Sequence, residues 1–115
     1  MTSTTNARVR DHFEGGEGAY TEELSPNNGA AVAPSEYTRS VAITPNGTNT
    51  VDLSNVLRPG HIIVIGHIGG SNTPTIAFDD ADFANTGPSD LTTLGETATL
   101  LATGENWVVV ATGGA

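Results

Sequence analysis

From Val41 to Val110 the chain is a succession of short alternating or aliphatic runs, each closed by Gly, Pro or Asn. Tyr37, Arg39, Val41 and Ile43 alternate with Thr38, Ser40, Ala42 and Thr44, the two-residue period of a half-buried strand. Pro45-Asn46-Gly47 predicts a turn, and alternation resumes over Thr48 to Leu53 with Val51 and Leu53 inward, so the two runs are expected to form a hairpin. Arg58-Pro59-Gly60 is a second stop. Ile62 to Ile65 is the most apolar run, a continuous β-branched stretch of the kind buried on both faces, and predicts the central strand. Thr73 to Phe78 predicts another strand, with Pro74 near its start, and Asp79 to Asp90 a loop. Leu94 to Leu101 and Asn106 to Thr112 predict a final strand pair joined by Ala102-Thr103-Gly104-Glu105.

Six or so short strands with turns every eight to twelve residues, and no helix longer than about one turn, predict an all-β domain, either a small jelly-roll-like β-sandwich or a barrel. Met1 to Glu36 is different. Its apolar residues are thinly spread, no period survives more than a few positions, and Gly15-Gly16 and Ser25-Pro26-Asn27-Asn28-Gly29 interrupt it. The expected organisation is an extended polar N-terminal arm, residues 1–36, followed by a compact β domain, residues 37–115. Phe13, Tyr20 and Leu24 are spaced as anchors for an arm that orders on a neighbouring surface.

Charge changes the picture most. Thirteen acidic residues face four basic ones, Arg8, Arg10, Arg39 and Arg58, there is no lysine, and the net charge is −9. Such a chain repels itself in dilute buffer, whereas at molar salt the screening length falls to about 3 Å. The expectation is a protein that works in brine. Without clustered Lys/Arg, nucleic acid and anionic membrane are not expected partners. No apolar run reaches membrane-spanning length and no signal-peptide pattern appears, so synthesis in the cytoplasm is expected. There is no cysteine and no zinc-spaced Cys/His cluster, so a domain of this size is expected to gain support from oligomerisation or from docking on a larger body.

Candidate chemistry is sparse. His61 and His67 flank the central strand on one face about 20 Å apart, too far to share a metal, and are expected at turns or at an oligomer contact. Asp79, Asp80 and Asp82 offer oxygens for a weak cation site or a receptor loop, but lack the order and the closing glutamate of an EF-hand. No Ser-His-Asp order, nucleophile elbow or phosphate loop is present, and the expectation is no catalysis, no cofactor and no dedicated metal site. Trp107 in an alternating terminal strand is expected in the core rather than on a sugar platform.

The series Thr50-Val51-Asp52-Leu53, Arg58-Pro59-Gly60 opening an aliphatic strand, Thr75-Ile76, Leu94 to Leu100, and Gly104-Glu105-Asn106-Trp107-Val108-Val109 resembles short β modules in tail-fibre, head-fibre and spike proteins of tailed viruses. A polar arm followed by one compact β domain is also similar to the small trimeric proteins that decorate viral capsids. With the brine composition, the resemblance implies a virion protein of a haloarchaeal tailed virus. It implies a homotrimer on the capsid surface, held to the major capsid protein or another virion protein through Phe13, Tyr20 and Leu24 of the arm. A turret, spike or tail-fibre module recognising a host surface glycan or protein is the alternative.

Overall fold

The structure is a computed structural model, and it describes residues 21–56 and 58–114. Among the described residues, seven strands run in the order β1 (Thr21–Leu24), β2 (Ser40–Ile43), β3 (Asn46–Val51), β4 (Ile62–His67), β5 (Ser71–Phe78), β6 (Thr97–Ala102) and β7 (Trp107–Gly113). Single 3₁₀ turns lie at Ser54–Val56 and Asp80–Asp82. Five strands form one sheet in the order β1-β2-β4-β6-β7, and β3 with β5 forms a second. The described strands are all-β in class and close no barrel.

The expected central strand is in place, since β4 is the middle strand of the five. Its burial differs from expectation. Ile63, Ile65 and His67 are buried, while Ile62 is 45% and Val64 36% exposed, so the fold covers only one face of the apolar run. The final hairpin forms as expected, antiparallel with Ala102 opposite Trp107 and Leu101 opposite Val108. Its first strand begins at Thr97, because Gly95 (φ 98°) turns the chain and leaves Leu94 exposed in the turn.

The expected hairpin over Tyr37 to Leu53 does not form. β2 pairs in parallel with β1 and β4, and β3 pairs in parallel with β5 in the other sheet. From β2 to β5 the chain therefore alternates between sheets, and each parallel crossover is supplied by a strand of the opposite sheet rather than by a helix. Pro45 sits at the change of sheet, with no N–H to give a ladder, while its carbonyl accepts from Ser71 N–H at 3.2 Å. Asn46-Gly47 opens β3 instead of a two-residue turn. Gly47 has φ 70°, and a β-carbon there would collide with the Asn28 side chain; the register irregularity beside it comes from β5, where Ser71 to Thr75 spans the length of Asn46 to Thr48.

Residues 21–36 belong to this fold, so the expected boundary between Glu36 and Tyr37 is not a structural break. Leu24 pairs with Ile43 and packs against the core. Val32 is buried, donates its N–H to Thr50 and accepts from Asp52 N–H. These contacts are non-local, with no periodic signal in the segment itself. Phe13 and Tyr20 lie outside the described residues.

Both sheets feed one core, with Val41, Ile43, Ile63, Ile65, Leu100 and Trp107 from the larger and Val51 and Ile76 from the smaller. Asn49 is buried on the inner side of β3 and holds the 27–30 segment there. Its Nδ2 donates to the Asn27 carbonyl (3.1 Å) and the Ala30 carbonyl (2.8 Å), and its Oδ1 accepts from Asn46 N–H (2.7 Å).

One stretch of backbone is strained. Asn72 (φ 59°) and Thr73 (φ 56°) are both left-handed, and a β-branched residue is poorly suited to that region. Thr73→Gly is expected to stabilise the domain by about 1 kcal/mol, read as a higher urea midpoint. An unchanged or lower midpoint would show that threonine is not strained there.

Candidate functional site: an uncharged sheet face

The two faces of the five-stranded sheet differ in what they meet. One covers the core. On the other, β2 presents Ser40 and Ala42, β4 presents Ile62, Val64 and Gly66, and β6 presents Thr97, Thr99 and Leu101. Cross-strand register puts Ile62, Leu101 and Val108 in one row, and Ser40, Val64, Thr99 and Ala111 in the next. Ile68 continues the parity of β4 beyond the strand end and is 47% exposed, and Val110, the extra residue at the β6–β7 irregularity, is 55% exposed.

None of these positions is charged, in a chain with a net charge of −9. The first carboxylate on this face is Glu23, in register with Ala42 on the edge strand β1. The face is a continuous uncharged, partly apolar surface, unlike the rest of this acidic chain.

The two histidines are internal. Arg58 Nη2 donates to His61 Nδ1 (3.3 Å), which leaves His61 Nε2–H to donate to the Thr38 carbonyl (2.7 Å). Gly69 N–H donates to His67 Nδ1 (3.1 Å), and Nε2–H then donates to the Pro74 carbonyl (3.1 Å). Each ring is a neutral Nε2–H tautomer used as a strut, one tying β4 to the segment before β2 and the other tying it to β5. Both side chains are buried.

The acidic loop is put to local use. Asp79 accepts from Ala81 N–H (3.0 Å) and caps the 3₁₀ turn that Asp80 and Asp82 belong to. Among the described residues no group of three His, Cys, Asp or Glu side chains is placed to hold a metal ion. Burial, together with the charges of Asp79 and Asp52, pushes the Asp82 carboxyl above its ordinary range. Trp107 is fully buried, edge-on to His61, and borders a small cavity of about 90 Å³ with Asp82 and Glu105. Its indole Nε1 is the one buried side-chain donor without a partner among the described residues.

No protein-family model matches the chain, and no curated protein matches it. The uncharged face is the feature that sequence reasoning missed. Its signal was present in Ile62 to Ile65, whose residues were expected to be buried on both sides.

Glu96 gives the loop before β6 a pH dependence. Its Oε1 accepts from Thr92 N–H (2.6 Å) and Thr93 N–H (2.9 Å), which holds the carboxyl below its ordinary value of 4.5. A carboxyl lowered on folding contributes stability that is complete above its unfolded value and is lost as pH falls through the folded one. Urea midpoints of the wild type are expected to fall below pH 4.5, and Glu96→Gln to flatten that part of the curve. A parallel fall in the variant would remove Glu96 as a source of the dependence.

Proposed function

We propose that this is a non-enzymatic virion structural protein of a haloarchaeal tailed virus, which decorates and reinforces the capsid as a homotrimer. The observation that carries the proposal is the uncharged sheet face on a chain of net charge −9. A surface of that kind serves association with protein. In this reading the domain is a small β-sandwich, and copies of it meet through apolar strand surfaces, which offsets the limited core. Acidic excess without lysine is the composition that tolerates concentrated salt, where self-repulsion is screened within about 3 Å.

Attachment runs through the N-terminal segment to the major capsid protein or another virion protein, with Phe13 and Tyr20 as anchors. Leu24 has its apolar contacts within the domain and serves to fix the base of the segment. Many copies reinforce a shell by multivalency even where each contact is weak. Removing residues 2–20 is expected to abolish binding to capsids while the β domain keeps its tryptophan emission. Retained binding would show that attachment runs elsewhere and would overturn this mechanism.

A further inference from the structure

We infer that the outer face of the five-stranded sheet is the surface on which copies of this chain meet, an inference that rests on the oligomeric part of the function proposed above. The continuous run Ile62-Ile63-Val64-Ile65 has the composition of a strand covered on both faces. The chain itself covers only the Ile63 and Ile65 side. A partner is the missing cover for Ile62 and Val64.

Charge selects the partner. Burying a charge against an apolar surface without a counter-charge is costly. Residues 1–20 contain Arg8, Arg10, Asp11, Glu14 and Glu17, so laying that segment across the face would bring charges onto it. A second copy brings the same uncharged surface. Self-association through any other acidic surface of the same chain would set like charges together, whereas this face lets two copies of net charge −9 approach with their carboxylates at the rim.

Size sets the strength of the contact. Four strands at about 4.8 Å spacing, four to seven residues long, give a patch of roughly 19 Å by 19 Å. Each copy then buries on the order of 400 Å² against its partners, about half of the roughly 800 Å² per partner of a standard interface, so the association is a weak one. Around a threefold axis lying along the face, Val64 and Thr99 sit near the axis and meet their equivalents in the other copies. One carboxylate introduced there appears in every copy at once.

The test is sedimentation equilibrium of the full chain in concentrated sodium chloride, for the wild type and for Val64→Asp, Thr99→Asp and, away from the face, Asn55→Asp. Burial of Trp107, read from its emission, reports folding in each, and Thr99→Asp changes a position that is already polar. The wild type is expected to sediment at three times the 11.8 kDa chain mass. Val64→Asp and Thr99→Asp are expected to weaken association at least about 100-fold, and Asn55→Asp to leave it unchanged. A wild-type dimer that the same two variants dissociate sustains the face and overturns the threefold part of the function proposed above. A monomeric wild type, or folded variants that associate as the wild type does, would overturn the inference. So would a monomer in which deletion of residues 2–20 uncovers the face, because the occupant would then be the chain's own N-terminal segment. Particle attachment is measured separately and does not enter this result.

Discussion

Asn49→Ala is expected to lower the stability of the domain by about 2–3 kcal/mol, because two part-buried backbone groups lose the partner that this side chain supplies. The Ala30 carbonyl loses the Nδ2 donor and the Asn46 N–H loses Oδ1, while the Asn27 carbonyl keeps the Ala30 N–H at 3.0 Å. Small domains have total stabilities of roughly 5–15 kcal/mol, so the loss is a large fraction of the total. Asn49→Leu restores volume and supplies none of the hydrogen bonds, and its loss is expected to be as large. Asn49→Asp keeps the acceptor for Asn46 but removes both donors and adds a buried negative charge, so it also fails to rescue. Urea denaturation followed by Trp107 emission measures all three. A loss below about 1 kcal/mol for Asn49→Ala would show that the 27–30 segment is held by something other than this side chain. The position matters beyond stability, since the segment links β1, and with it the N-terminal residues, to the body of the domain.

Trp107→Ala is expected to cost about 3–5 kcal/mol, the range for truncating a fully buried large aromatic. Trp107 joins three parts of the fold. It pairs with Ala102 across the final hairpin, its carbonyl accepts from Ala84 N–H at 2.9 Å, and its ring meets His61 edge-on at 6.4 Å. Trp107→Phe separates packing from hydrogen bonding. The indole N–H has no partner, so its removal forfeits no hydrogen bond and relieves an unsatisfied donor. The phenylalanine variant is therefore expected to lose only about 1–2 kcal/mol, from reduced volume. Equal losses in the two variants would mean that the indole N–H is bonded in solution. A tryptophan emission at long wavelength in the native wild type would place the ring in water, contrary to its burial.

The parts of this fold that were legible in the sequence are those where neighbours in sequence are neighbours in space. The β6–β7 hairpin, the Trp107 core position and the inward Val51 and Leu53 follow from alternation and local turns. The β2–β3 hairpin was expected on the same local logic and failed, because the two runs enter different sheets and pair in parallel with distant strands. Asn46-Gly47 has the composition of a hairpin turn, yet its glycine answers to Asn28, a residue far off in sequence. Asn49 was invisible for a related reason. A polar residue in an alternating run reads as solvent-facing unless its partners are known, and those partners lie in a segment without periodicity. That segment, residues 21–36, resembled an arm because its attachments, the ladder of Thr21–Leu24 on Ser40–Ile43 and the bridge of Val32 to Val51, are long-range and leave no local period. The candidate site was half legible. The apolar run from Ile62 to Ile65 announced cover on two faces, but composition does not distinguish cover by the same chain from cover by another.

The central claim is that this chain is a component of a virion shell, and its copy number per purified particle tests that most directly. Quantitative mass spectrometry against the major capsid protein is expected to give hundreds of copies in simple ratio to it. A few to a few tens would contradict decoration and place the chain at a vertex turret or tail, with host recognition as its role. Complete absence from the particles would contradict the virion reading altogether.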